Sequence, residues 1–161
     1  MHLVDRALKS IERIIRPIES YLVLLLTIEI TIVIFAATVS RYTAVGALGW
    51  TSELASYSLS WITFFGASLV MDRQGHLAMG LLTKNLPHKL RKYSEIFVYI
   101  VILLSLGILV KSGFNIVAMT TTQLSAAMQI PLAWVYLSIP LGSAFMFIHA
   151  LSQCVSVLLE R

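Results

Sequence analysis

Four apolar stretches dominate the sequence, at about residues 20–42, 52–72, 94–120 and 133–159. A helix of about 20 apolar residues crosses a hydrocarbon core of about 30 Å, and a helix satisfies its own backbone hydrogen bonds there. Strands of a membrane barrel would alternate in polarity, and the sequence has no such alternation. The pattern therefore predicts an all-α membrane protein with four transmembrane helices in a single domain, residues 1–161.

The composition supports this prediction. Apolar residues make up 58% of the chain and charged residues 12%, and the mean hydropathy is +0.84. Soluble domains carry about 25% charged residues, so the polar surface here is too small for one. The single cysteine, Cys154, excludes an internal disulfide, and no basic patch interleaved with aromatics indicates a nucleic-acid partner.

Lysine and arginine residues collect on one side of the predicted membrane. They precede the first span and lie between the second and third spans, whereas only Arg41 and Lys111 fall toward the other side. The positive-inside rule therefore predicts that both termini are cytoplasmic. The residues expected to anchor the protein at this interface are Arg13, Arg16, Arg73, His76, Lys89 and Arg91.

Two further segments are amphipathic. In residues 1–19, apolar side chains recur at intervals of three and four, and basic side chains occupy the other face. This pattern favours a helix lying in the cytoplasmic interface, and a cytosolic helix that packs on a partner is the alternative. Leucines mixed with lysines and arginines predict a second interfacial segment at residues 76–92.

Ionisable residues inside a span are functional candidates, because their burial in lipid is costly. Glu29 and His149 lie at nearly the same predicted depth from the cytoplasmic side, which suggests a buried polar pair. The alternatives are a Glu29 that is simply protonated and a His149 that bonds a backbone carbonyl alone. Ala36 with Ser40, and Ser138 with Gly142, form small-xxx-small pairs that permit close helix packing.

At the extracytoplasmic rim, Arg41 ends the first span and Glu53 begins the second, with Trp50 beside them. An ion pair between Arg41 and Glu53 would stabilise this hairpin, and contact with a partner is the alternative. The sequence shows neither a serine nucleophile with a matching base nor a glycine-rich phosphate loop. We therefore expect no enzymatic activity and no cofactor in this chain.

The stretch from Arg41 to His76 carries a family resemblance. It contains Arg41-Tyr42, Trp50, Glu53, Trp61, Phe65-Gly66, Arg73 and His76 in the order seen in the small membrane subunit (DctQ/SiaQ type) of tripartite ATP-independent periplasmic (TRAP) transporters. Leu86-Pro87 and the segment from Ile130 to Pro140 also resemble that family. Ser52 and Ser56 depart from it, since an acidic residue and an arginine often stand at these two positions.

The resemblance implies a non-catalytic subunit in a bacterial inner membrane. Its partners would be a large membrane subunit that holds the sodium and substrate sites, a periplasmic substrate-binding protein and membrane lipids. The substrate would be an organic acid of the sialic acid or dicarboxylate type. On this basis we expect Arg41, Trp50 and Glu53 to meet the binding protein. The residues expected to face the large subunit are Trp61, Phe65, Gly66, Tyr136 and Pro140.

Two other functions remain open from the sequence. A self-sufficient, proton-coupled multidrug transporter also has four spans and a buried glutamate, and Glu29 would serve that role. The two amphipathic segments and the greater chain length argue against it. A structural factor for an unrelated membrane complex is the other alternative, and the pattern from Arg41 to His76 argues against that one.

Overall fold

The computed structural model describes the backbone of residues 2–43, 48–83 and 88–159, and the side chains of residues 10–43, 48–72 and 93–158. The described chain is helical: α1 (His2–Arg41), α2 (Gly49–Thr83), α3 (His88–Met119), the short α4 (Ala133–Tyr136) and α5 (Ser138–Leu159). These ranges hold no β-strand, only an isolated bridge between Leu124 and Pro131.

Four segments are long and apolar enough to cross a membrane: Ser10–Arg41, Gly49–Asp72, Tyr93–Met119 and Ala133–Leu158. The prediction of an all-α chain with four such helices is therefore confirmed. The helices alternate in direction, so residues near 10–20, 72 and 153 lie at one end of the bundle, here called the terminal end. Residues near 41, 49 and 120–132 lie at the other, here called the loop end.

The segment 1–19 was predicted to be a separate interfacial helix, but its residues 2–19 are continuous with the first span. α1 runs for 40 residues with Pro17 inside it, a length of about 60 Å at 1.5 Å per residue. Of the second predicted segment, 76–92, residues 76–83 belong to the end of α2 and residues 88–92 to the start of α3, and residues 84–87 lie outside the described chain. Placement of either segment in the membrane interface stays a prediction. Arg13 and Arg16 are exposed, and the side chains of Arg73, His76, Lys89 and Arg91 lie outside the described residues.

Helix α5 lies at the centre of the bundle. Of its most apolar stretch 44% is buried, against 6% for that of α1. α5 runs parallel to α2, where the Ser60 and Ser138 hydroxyls meet at 2.9 Å, and it packs antiparallel to α3. The outer helices, α1 and α3, consequently leave long apolar faces exposed.

Two glycines determine how closely the helices approach α5. A Cβ added at Gly142 would lie 2.6 Å from the Phe64 Cβ and 3.1 Å from its carbonyl carbon. A Cβ at Gly113 of α3 would lie 2.8 Å from the Pro140 Cδ. The close packing predicted for Ser138 and Gly142 is therefore confirmed, since a side chain at Gly142 would force α5 away from α2.

Aromatic residues fill the space between α2 and α5. Phe65 is buried, stacks on Trp61 with ring centroids 5.5 Å apart, and meets the edge of Phe145 at 5.5 Å. Pro140 is also fully buried. The expectation that Phe65 and Pro140 face a partner is therefore wrong, because both side chains pack inside this chain's own bundle. Trp61, Gly66 and Tyr136 are only half-buried, and for them the expectation stays a prediction.

Candidate functional site

A buried cluster of charged side chains lies at the terminal end, around His149 of α5. The imidazole is fully buried, and its Nε2 lies 3.3 Å from the Glu19 Oε2. Its Nδ1 lies 3.4 Å from the Glu12 Oε1 and 3.6 Å from the Asp72 Oδ1. We call these four residues and Arg16 the carboxylate–histidine cluster.

The arrangement around His149 fits an imidazolium. Both ring nitrogens face carboxylate oxygens, and a neutral imidazole has only one N–H to donate. The distances are slightly longer than the usual 2.7–3.2 Å of an N–H···O bond, so the contacts are ion pairs more than tight hydrogen bonds. With every carboxyl group ionised, Arg16 and the imidazolium leave one negative charge uncompensated.

Arg16 and Asp72 connect α1 to α2 within this cluster. The Arg16 Nη2 donates to the Asp72 Oδ1 at 2.8 Å, and the Arg16 Nε lies 2.7 Å from Oδ2. The first contact is a hydrogen bond, whereas the second is an ion-pair contact only, since Oδ2 has no hydrogen-bond partner among the described residues. The Asp72 side chain is 4% exposed and that of Arg16 53%, so the guanidinium covers the carboxylate from outside.

Gln153, one turn beyond His149, extends the polar contacts to the remaining helices. Its Nε2 donates to the Met71 carbonyl at 2.6 Å, and its Oε1 accepts from the Tyr99 hydroxyl at 3.1 Å. Tyr99 belongs to α3 and Met71 to α2. All four long helices are therefore joined by side-chain hydrogen bonds or ion pairs at the terminal end.

The predicted pair between Glu29 and His149 is not formed. His149 contacts Glu12 and Glu19 instead, and both Glu29 carboxyl oxygens are buried without a hydrogen-bond partner in the described part of the chain. The reason is the early start of α1, which puts Glu19 beside His149 and leaves Glu29 about 15 Å further along the helix.

Sequence reasoning missed Glu12, Glu19 and Asp72 as partners of His149. One signal was available: Glu12, Arg16 and Glu19 are spaced by four and three residues, which places them on one helix face. The long α1 that carries this face into the bundle is not evident from the apolar pattern, and the sequence gives no sign that Asp72 lies beside His149.

The same cluster offers donors that a cation could use. Glu12, Asp72 and His149 present one ligand atom each, all within 4.8 Å of one another. The Arg16 guanidinium, however, already engages both oxygens of Asp72. A divalent cation would have to displace it, so the cluster is better described as a set of ion pairs that binds helices together.

At the loop end, Glu53 of α2 accepts hydrogen bonds from the backbone. Its Oε1 accepts from the Ala127 amide at 2.8 Å and its Oε2 from the Met128 amide at 3.0 Å. The predicted Arg41–Glu53 ion pair is not formed among the described residues. The physical reason is that the loop after α3 folds over the start of α2 and supplies two amide donors at Glu53, a geometry that residue types do not reveal.

The loop fixed by Glu53 is itself ordered by backbone hydrogen bonds. Ser125 N–H donates to the Ile130 carbonyl at 2.9 Å, and Leu132 N–H donates to the Gln123 carbonyl at 2.9 Å. Gln129 takes a positive φ of 55° at the turn. The segment 123–132, with Trp50 and Arg41 exposed nearby, forms a defined surface at this end of the bundle.

These features define a class of protein: a multi-pass helical membrane protein whose spans are fastened to one another at both ends. The family model described as "Tripartite ATP-independent periplasmic transporters, DctQ component" matches residues 30–160, which is most of the chain. This chain belongs to that family, and the resemblance found in the sequence is confirmed. The match includes Arg41, Glu53 and His149, whereas Glu12 and Glu19 precede it.

Two relatives are similar over most of this chain. The Vibrio cholerae serotype O1 protein named "Sialic acid TRAP transporter small permease protein SiaQ" is 22% identical over 151 residues, which cover 94% of this chain and 87% of the relative. The Haemophilus influenzae (strain 86-028NP) "Sialic acid TRAP transporter permease protein SiaT" is 24% identical over 132 residues, 82% of this chain. The aligned part is only 21% of SiaT, so this chain corresponds to a small portion of that longer permease.

Proposed function

We propose that this chain is the small, non-catalytic membrane subunit of a sodium-coupled, binding-protein-dependent TRAP transporter for an organic acid. The family match over residues 30–160 carries this proposal. Both relatives bear names that specify sialic acid, which favours a sialic acid over a dicarboxylate as the substrate. The sodium and substrate sites would belong to a large membrane subunit, and this chain would hold no cofactor.

The role of this chain is to extend the fixed part of the transporter. Its helices are joined by the carboxylate–histidine cluster and Gln153 at the terminal end, and by close α2–α5 packing in the middle. Glu53 fastens the loop between α3 and α4 at the loop end. Contacts at three levels resist relative sliding of the helices, which suits a support against which a larger subunit moves.

The apolar surface of the described residues has to be divided between the large subunit and lipid. Large apolar side chains are exposed along both α1 and α3. On α2, Gly66 is open as well, since a Cβ added there would meet nothing within 4 Å. We place Gly66, with Trp61 and Tyr136, at the large-subunit contact, and the other faces against lipid.

The loop end supplies the contact for a periplasmic binding protein. Segment 123–132 is ordered before any partner binds, and Arg41 and Trp50 are exposed beside it. A surface that is already ordered loses little conformational entropy on binding. This assignment puts the loop end in the periplasm, both termini in the cytoplasm, and the protein in the bacterial inner membrane.

The alternative of a self-sufficient multidrug transporter is not favoured. Its main support was Glu29, and the family to which the chain belongs is a component of multipart transporters. The same membership argues against a structural factor for an unrelated complex.

Co-purification tests the proposal. The tagged chain, solubilised in mild detergent from its native membrane, is expected to bring down a large multi-span permease in stoichiometric amounts, identified by mass spectrometry. Recovery of this chain only with itself would contradict the proposal.

A matched pair of variants tests the assigned contact. A Cβ at Gly66 or at Gly107 of α3 meets nothing within 4 Å, so the first carbon of a leucine side chain fits at both positions. A melting temperature equal to that of the wild-type chain shows for each leucine variant that the bundle is intact. Gly66→Leu should reduce the recovered permease, and Gly107→Leu should not. Full recovery with Gly66→Leu would remove Gly66 from the interface.

A further inference from the structure

A groove opens between α1 and α2 at the loop end, with a volume of about 280 Å³. Its apolar part is lined by Ile34, Ala37 and Ala55, and Ile34 lies about 10 Å along α1 from Arg41. The groove therefore runs from the end of the first span into its apolar part. The volume is that of about nine water molecules, enough for a small polar headgroup.

The groove lies at the level where lipid headgroups are expected. Arg41 is the last residue of both α1 and its span, and Gly49 begins α2. Tyr42 and Trp50 are next in sequence to the lining residues Arg41 and Thr51, and they are 87% and 41% exposed. Exposed tyrosine and tryptophan at the ends of spans are typical of the membrane–water interface.

Arg41 brings an uncompensated positive charge to the groove. It is exposed, and it makes no ion pair or hydrogen bond within the described residues. Glu53, the acidic residue at the same end of the bundle, already accepts hydrogen bonds from the Ala127 and Met128 amides. A guanidinium without a partner at a membrane boundary attracts a phosphate, which it binds through paired N–H donors.

The hydroxyl groups in the groove are acceptors only. Thr38 Oγ1 donates its proton to the Ile34 carbonyl at 2.9 Å, Thr51 Oγ1 to the Leu48 carbonyl at 2.6 Å, and Ser52 Oγ to the Gly49 carbonyl at 3.1 Å. Each hydroxyl has one proton, so what remains for a ligand is its lone pairs. Such oxygens accept hydrogen bonds from an ammonium group, but they have no proton left to donate to a phosphate.

We infer that this groove binds a phospholipid whose headgroup carries both a phosphate and a primary ammonium, as in phosphatidylethanolamine. The phosphate lies against Arg41, the ammonium donates to the hydroxyls of Thr38, Thr51 and Ser52, and an acyl chain follows the apolar part of the groove. A choline headgroup has no N–H to donate, and a glycerol headgroup donates only from neutral hydroxyl groups, whose hydrogen bonds are weaker than those of an ammonium group. The groove therefore selects ethanolamine.

Lipid retention by the full chain tests this inference. The chain is reconstituted in nanodiscs of palmitoyl-oleoyl phosphatidylethanolamine, phosphatidylcholine or phosphatidylglycerol, moved into detergent, and weighed with its bound lipid by native mass spectrometry. One ethanolamine lipid per chain should be retained in preference to the other two. Equal retention of all three lipids would overturn the inference.

Three variants locate the site. Arg41→Gln should weaken retention at least about tenfold, the effect expected for a lost hydrogen bond to a charged group. Lys111→Gln, which removes an exposed cation from α3, should leave retention unchanged. Ala55→Leu narrows the groove while Arg41 itself is unchanged, and it should also reduce retention. Unchanged retention in Arg41→Gln and Ala55→Leu would overturn the inference. Two variants are measured so that, if one of them folds poorly, the other still decides.

Two other occupants have distinct outcomes. The first is a site for a free anion. Inorganic phosphate would then stabilise the wild-type chain against heat as strongly as the ethanolamine lipid does, and only when Arg41 is present. That result would overturn the proposed lipid site. The second is a protein partner. A Ser52→Cys variant would then cross-link quantitatively to a second protein and hold no ethanolamine lipid, and this result would also overturn the proposed lipid site.

Discussion

Substitution of Gly142 by alanine tests the contact that brings α5 against α2. The added Cβ would lie 2.6 Å from the Phe64 Cβ, 3.1 Å from its carbonyl carbon and 3.2 Å from its carbonyl oxygen. Favourable carbon–carbon contacts begin near 3.5 Å, so α5 has to move by about 1 Å. Rotation of the Phe64 side chain gives no relief, because the crowded atoms are its Cβ and backbone.

The size of the effect follows from two opposing contributions. Overpacking of a close contact costs about 1–3 kcal/mol. Replacement of glycine by alanine inside a helix contributes at most about 1 kcal/mol in the other direction. The crowded atoms of Phe64 are its Cβ and backbone, which cannot rotate away, so the overpacking cost lies in the upper half of that range. Gly142→Ala should therefore lower the free energy of unfolding by about 1–2 kcal/mol.

The measurement is equilibrium unfolding of the purified chain in mixed micelles, followed by tryptophan fluorescence. Gly66→Ala is the matched control, because it lies on α2 near the same contact and its Cβ meets nothing within 4 Å. That variant should be as stable as the wild-type chain or slightly more stable. The reasoning is refuted if Gly142→Ala matches the wild-type chain, or if both variants lose the same stability.

Three further predictions concern polar side chains. His149→Ala leaves the fully buried Glu19 without its partner, so the free energy of unfolding should fall by about 3–5 kcal/mol in the same assay. A loss smaller than that of Gly142→Ala would show that the carboxylate–histidine cluster contributes little. Glu53→Gln removes the carboxylate that accepts hydrogen bonds from two backbone amides. Amide hydrogen exchange over residues 123–131 should therefore become faster, while the spans stay protected. An unchanged exchange rate would contradict the role assigned to Glu53. Glu29→Gln keeps the side-chain size and has no charge to bury, so stability and substrate uptake should not fall, and abolished uptake would revive the self-sufficient transporter.

The spans and the close α2–α5 contact were predictable because each depends on residue type at fixed spacing. Long apolar stretches exclude other structures in a membrane, and small residues four apart, such as Ser138 and Gly142, mark a surface of close approach. Neither inference needs knowledge of the partner helix.

The polar contacts were less predictable, because they depend on how the helices are registered. The depth of Glu29 was counted from an assumed helix start near residue 20, whereas α1 begins at His2 and brings Glu12 and Glu19 to His149. Glu53 pairs with backbone amides of a distant loop, and a sequence does not show which amides are free.

The predicted partner-facing residues failed for a different reason. Phe65 and Pro140 are apolar residues within membrane spans, and such residues suit a subunit interface and a bundle interior equally well. Residue type alone therefore does not separate the two environments. In the structure, Phe65 packs against Trp61 and Phe145, and Pro140 packs against Gly113. These contacts place both side chains in the bundle interior.

Reconstituted uptake tests the central claim most directly. Proteoliposomes would hold this chain alone, its co-purified large permease alone, or both, each with the binding protein outside and an inward sodium gradient. Accumulation of labelled sialic acid is measured in each case. The proposed function predicts sodium-dependent uptake at the full rate only when both membrane proteins are present. Uptake by this chain alone would contradict it.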